Sequence, residues 1–160
     1  MPDVVLGLKR LYYPRINITA NSSHDPSEEI SSESFDTGSV VRHTKTEKTT
    51  HINYYFKSEE PNDSNLPYLI DMHLYAAFQI DPDLASMDAK LRENILLDIA
   101  QLIIGSMREM IASTTSRGPW GAYFIPITDA EVLADALLNS YLLGEKKKKK
   151  RPQKKEIDIE

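Results

Sequence analysis

Residues 68–80, YLIDMHLYAAFQI, place Tyr68, Ile70, Met72, Leu74, Ala76, Phe78 and Ile80 at every second position. Side chains alternate across a strand with a period of two, so this unbroken apolar row demands a sheet with one face fully covered. The opposite face is mixed, since Asp71, His73 and Gln79 are polar while Leu69, Tyr75 and Ala77 are not. A chain holding such a strand, or two strands sharing a bend, must supply something apolar to lie on it.

The cover is legible further along. Between Asp88 and Arg117 there is no proline, and Leu91, Ile95, Ile99, Leu102, Ser106, Met110 and Thr114 recur at three-four spacing, with Leu96, Ile103, Met107 and Ile111 beside them. This predicts a helix of roughly 40 Å at 1.5 Å per residue. Its apolar surface is wide enough for two partners, the sheet and another subunit. Gly118 stands where a left-handed stop is expected. The run TDAE at 128–131 reads as a capping box opening a second helix, with Thr128 as cap. Val132, Leu133, Ala136, Leu137, Ser140 and Tyr141 form its apolar side, and Gly144 is expected to end it.

Upstream, residues 3–20 are rich in β-branched and aromatic side chains and read as a strand. Pro14 predicts an edge position or a bulge there. Residues 21–39 are polar and read as a crossover loop, 40–56 alternate again, and KSEEPNDSNLP (57–67) is a turn region expected to join a hairpin. Strands precede helices, which predicts an α+β chain with an antiparallel sheet.

Chemistry is hard to place on this framework. The 160 residues include no cysteine, which removes disulfides, thiolate metal sites and a Cys nucleophile. The four histidines, His24, His43, His51 and His73, have no metal-ligand partner at a useful spacing; His43 and His51, eight apart, could share a strand face. No Gly-rich phosphate loop or nucleophile elbow can be written. The reading is therefore of a protein that is not an enzyme, with no catalytic residue, no metal and no cofactor. No window approaches a membrane span and no signal-like start is present, so a soluble, cytoplasmic chain is expected.

The formal charge of −5 conceals an asymmetry. Residues 1–144 hold 11 basic and 20 acidic side chains, −9, whereas 145–160 (EKKKKKRPQKKEIDIE) hold eight basic and four acidic, +4. The acidic body argues against nucleic acid as partner. The lysine run is either a disordered, solvating tail or an attachment to acidic lipid, nucleic acid or an acidic partner, so membrane contact is expected through it or not at all.

Three segments together resemble the SecB family of protein-export chaperones: LKRLYYPRINITA (8–20), YLIDMHLYAAFQI, and REMIASTTSRGPWGAYFIPITDAEVL (108–133). The third is the most specific, with SRG closing a long helix and an aromatic, proline-bearing segment leading to the last one. The resemblance implies a four-stranded antiparallel sheet packed with one long and one shorter C-terminal helix over residues 1–144, and it does not cover the tail at 145–160. It implies a homotetramer, a dimer of dimers, with Ile70, Met72 and Leu74 at the subunit contact; core packing is the equal alternative for these three.

The same resemblance implies an ATP-independent holdase that holds unfolded polypeptide clients in apolar grooves and serves protein export. The matching positions are Phe35 and Val40 of the crossover, Tyr54 and Phe56 of the second alternating segment, and Leu133, Leu137 and Tyr141 of the last helix, bordered by Trp120, Tyr123 and Phe124. Each is either groove or core. Docking to the SecA motor would use Leu69 and Asp71, but Arg15 and Thr19 stand where export chaperones carry acids. That departure keeps an alternative in view: an adaptor, or a dedicated chaperone of one partner such as an antitoxin, with the basic tail as attachment.

Overall fold

The computed structural model describes residues 3–30, 35–58, 65–126 and 129–150. Four strands come first, β1 (Val5–Ala20), β2 (Phe35–Thr44), β3 (Thr49–Ser58) and β4 (Tyr68–Asp81). A single 3₁₀ turn at Leu84–Ser86 leads to α1 (Ala89–Thr115) and, after an extended link, to α2 (Ala130–Lys150). The strands form one sheet in the order β1-β4-β3-β2, antiparallel throughout. This is the α+β architecture expected from the order of elements.

The period-two row of β4 is buried as required, from Tyr68 through Ile80. Cross-strand pairing puts Ile16, Phe56 and Met72 on one face, with Tyr54 and Leu74 beside them. α1 turns Ile95, Ile99, Ile103, Met107 and Ile111 toward that face, and Leu96 and Ala100 complete the stripe. Burying side chains of this size contributes about 1.5–3 kcal/mol each, which is what holds the helices on the sheet. Asp88 caps α1 by accepting the Leu91 N–H at 2.9 Å. The outer positions Leu91, Leu102 and Met110 are only half-buried, so one side of the apolar stripe is left partly uncovered.

Three expectations are corrected. The stretch 40–56 is not one strand: it contains a hairpin turn at 45–48, and β2 already begins at Phe35, inside the segment read as crossover. The turn lacks the usual Gly or Asn because Lys48 itself takes the left-handed conformation (φ 49°), held by its Nζ on Asp81 at 2.7 Å and its carbonyl on the Ile80 N–H at 3.1 Å. His43 and His51 therefore lie on opposite faces, His43 paired with Thr50 and His51 with Arg42. Second, Gly118 is not a left-handed stop; among the described glycines it is Gly121 that has positive φ, 75°. A Cβ on Gly118 would lie 2.5 Å from the Tyr68 hydroxyl, so this glycine is required by close approach. Third, Gly144 does not end α2, which continues through Lys150. The tail from Glu145 thus begins as helix; residues 151–160, and the expected cap Thr128, lie outside the described residues.

Pro14 behaves as its chemistry predicts. β1 is an edge strand, and its register against β4 shifts between Tyr12 and Arg15.

Candidate functional site: the β2–α2 seam

α2 lies along the free edge of β2. Ser140 Oγ accepts the Val41 N–H at 3.1 Å and donates to the Ser39 carbonyl at 3.2 Å. Lys148 Nζ donates to the His43 carbonyl at 3.0 Å. These backbone groups point out of the sheet, where another strand would meet them, and α2 side chains occupy them instead. Leu133, Ala134, Leu137 and Tyr141 fill the space beneath. Val132 and Ala136, expected on the apolar side, face solvent.

A polar knot closes the far end of the seam. The Tyr141 hydroxyl donates to Asp83 Oδ1 at 2.9 Å, and His43 Nε2 lies 3.7 Å from the same oxygen. His43 Nδ1 meets Thr50 Oγ1 at 2.9 Å. Burial first, and then the Asp83 hydrogen bond and charge, raise the Tyr141 hydroxyl above its ordinary value, so it stays a donor. Tyr54, deeper in the seam, is pushed up to about 12 by burial, with Thr37 hydrogen-bonding against the shift.

The sequence-based groove residues divide on this geometry. Tyr54, Phe56, Tyr123, Leu133, Leu137 and Tyr141 are core. Phe35 is half-buried and stacks on Phe56 at 4.5 Å between ring centres. Val40 does not join them: it pairs with Asn53 on the opposite face of the sheet and is 50 % exposed. Ile70, Met72 and Leu74 are 2, 0 and 1 % exposed within the single chain, so of their two readings the burial is that of core.

The link after α1, described as far as Pro126, also resolves. The Tyr68 hydroxyl donates to the Gly121 carbonyl at 2.8 Å and accepts the Trp120 N–H at 3.1 Å. Thr115 Oγ1 accepts the Tyr123 N–H at 2.8 Å. The Trp120 indole donates to the Asn21 carbonyl at 3.2 Å and meets the His24 ring edge-on at 5.0 Å. Trp120, half-buried, and Tyr123, buried, are thereby tied into the fold, while Phe124, between buried neighbours Tyr123 and Ile125, is 67 % exposed. Ser140 and Val132 are the residues sequence reasoning undervalued. A lone polar position within an apolar stripe was the available signal for the first; the second is set by the rotation of α2.

On the other face of the sheet, Leu69 is exposed, and Asp71 is held by Arg15 at 3.0 Å with His73 Nε2 at 3.6 Å. The acid of the expected motor-docking pair is thus already engaged inside the chain. Among the described residues no group of three His, Cys, Asp or Glu is placed to hold a metal ion. No described helix is long and apolar enough to cross a membrane.

No known family profile and no curated protein sequence matches this chain. The solved structures do. The Mycobacterium tuberculosis SecB-like chaperone Rv1957, in complex with a ChAD peptide from the Rv1956 HigA1 antitoxin, is similar over 78 % of this chain and 91 % of its own, at 11 % identity and a TM-score of 0.55. A protein of unknown function from Streptococcus agalactiae is similar over 78 % and 99 %, at 8 % identity and a TM-score of 0.49. The chain has the SecB-like fold, as the three segments implied.

Proposed function

We propose that this protein is an ATP-independent, polypeptide-binding chaperone that holds non-native segments along the β2–α2 seam. The observation that carries the reading is the fold, whose solved neighbour is a chaperone in complex with a peptide, together with the partly open Phe35 against the seam. Phe35 is partly open at the start of an edge strand, and Phe124 is exposed in the link before α2. An extended client would lay apolar side chains on these residues, a mode that tolerates many sequences. Binding there needs no catalytic group.

Of the two services such a chaperone performs, the Arg15–Asp71 pair favours a dedicated client over export. A motor domain that recognises acids meets an Asp71 already paired with the Arg15 guanidinium. Assembly is expected through β1, the edge that displays exposed Val5, Leu6, Leu8, Tyr12 and Ile16.

The test is suppression of aggregation of an unrelated, chemically unfolded protein by stoichiometric amounts of the full chain. A Phe35→Ser/Phe124→Ser variant, altered at partly open and open positions, is expected to keep its helix content and lose at least tenfold in potency. Aggregation that proceeds unchanged with the unaltered chain rules the holdase out. For the export question, an Arg15→Asp variant should gain affinity for the motor's zinc-bearing segment; no gain removes Arg15 as the obstacle.

A further inference from the structure

The continuation of α2 past Gly144 makes the lysine run part of a built surface. At 100° per residue, Leu142, Leu143, Lys146, Lys149 and Lys150 fall within an arc of roughly 120°, Glu145 flanks it, and Tyr141 and Lys148 point the other way. The structure agrees: Tyr141 is buried, Lys148 reaches back to the His43 carbonyl and Glu145, and the five residues of the arc are exposed. Lys148 thus serves the fold. A helix C-terminus does favour basic residues in its last turn. That preference does not account for two leucines, 43 and 59 % exposed, standing on the lysine face.

We propose that this face docks on an anionic phospholipid surface. Leucines that enter the headgroup boundary with lysines beside them at phosphate level are the pattern of a helix lying in a membrane interface. Charge complementarity singles out the occupant. The remaining chain carries −9 and is repelled by a negative surface, so the contact is confined to this end of α2. Nucleic acid shares the phosphate chemistry, but offers the leucines nothing apolar along its backbone, and a body at −9 opposes further wrapping. The inference does not depend on chaperone activity.

The full chain is mixed with phosphatidylcholine vesicles, with and without phosphatidylglycerol, and binding is read by flotation. Binding is expected only with the anionic lipid and is expected to weaken as salt rises. Lys146→Gln/Lys149→Gln/Lys150→Gln should reduce affinity about 100-fold, on the order of fivefold per lysine. Leu142→Ser/Leu143→Ser should cost more than tenfold, with the salt dependence kept. All five positions are exposed, and unchanged circular dichroism verifies folding. Absence of flotation, triple-variant binding equal to the parent, or duplex RNA bound in preference to the vesicles each overturns the proposal.

Discussion

The two edges of the sheet are treated in opposite ways. At β2 the chain closes its own edge: Ser140 and Lys148 take up the outward backbone groups of Ser39, Val41 and His43, and leucines of α2 seal the space below. At β1 the edge is long, kinked at Pro14 and apolar on the outside. Leu6, Leu8 and Ile16 pair with Ile80, Phe78 and Met72, which are at most 2 % exposed, yet they are themselves more than a third exposed. The helical cover reaches β1 only in part: Leu11, Tyr13 and Ile18 pack against the core while these three stay open. Bulges blunt an edge, but exposed leucines invite a partner. The difference teaches that one edge of the sheet is closed from within by α2, whereas the other keeps apolar side chains open to solvent.

The largest expected effect tests the seal. Leu137 is fully buried at the middle of α2, and Leu137→Ala should destabilise by about 2–5 kcal/mol, read by urea denaturation. A loss below 1 kcal/mol would mean that α2 is held on β2 by its polar bonds instead. The second effect is alkaline. Tyr54 keeps its proton in the folded chain up to about 12, against 10.0 unfolded. Its stabilising contribution is complete below pH 10 and is lost as pH rises from 10 to about 12, on the order of 3 kcal/mol at 1.4 kcal/mol per unit. Tyr141, raised for similar reasons, adds to the same trend. Tyr54→Phe should flatten stability across that window; a decline as steep as the parent's would assign the sensitivity to Tyr141. Smaller again is Ser140→Ala, expected to cost about 1–2 kcal/mol by leaving the Val41 N–H and Ser39 carbonyl without their partner. Faster amide exchange confined to β2 is the accompanying signature, and uniform exchange across the sheet would deny Ser140 a local role.

How much of this contrast could be read from residues alone depends on which kind of signal was involved. The β4 row and the α1 stripe are strong periodic patterns, and they placed the core and the order of elements correctly. The β2–β3 turn was hidden because Lys48 adopts a conformation that usually advertises itself as Gly or Asn, and tertiary bonds to Asp81 and Ile80 support it. Val40 was open to correction from sequence: it is an odd number of residues from Phe35, and on one strand that places the two on opposite faces. The α2 end was misplaced because one glycine was weighted above five lysines, which are good helix formers. Burial of Leu133 and Leu137, as against exposure of Val132, depends on how α2 rotates onto β2. No local pattern encodes that.

The smallest expected change in stability is at β1, where the consequence for assembly is greatest. Leu8→Lys/Ile16→Lys places charge at two positions that already face water, so monomer stability should move by about 0.5 kcal/mol or less. If β1 joins another copy, those charges stand in its interface, and the mass by light scattering should fall to a lower oligomer. Burying an unpaired charge in that contact costs far more than the folded monomer registers. The matched control is Val40→Lys, equally exposed but on β2, which should leave the mass unchanged. A mass that stays constant for both variants would return β1 to the status of a solvated edge. A mass that falls for Val40→Lys alone would transfer the contact to the opposite edge and reverse the asymmetry between the two sides of the sheet.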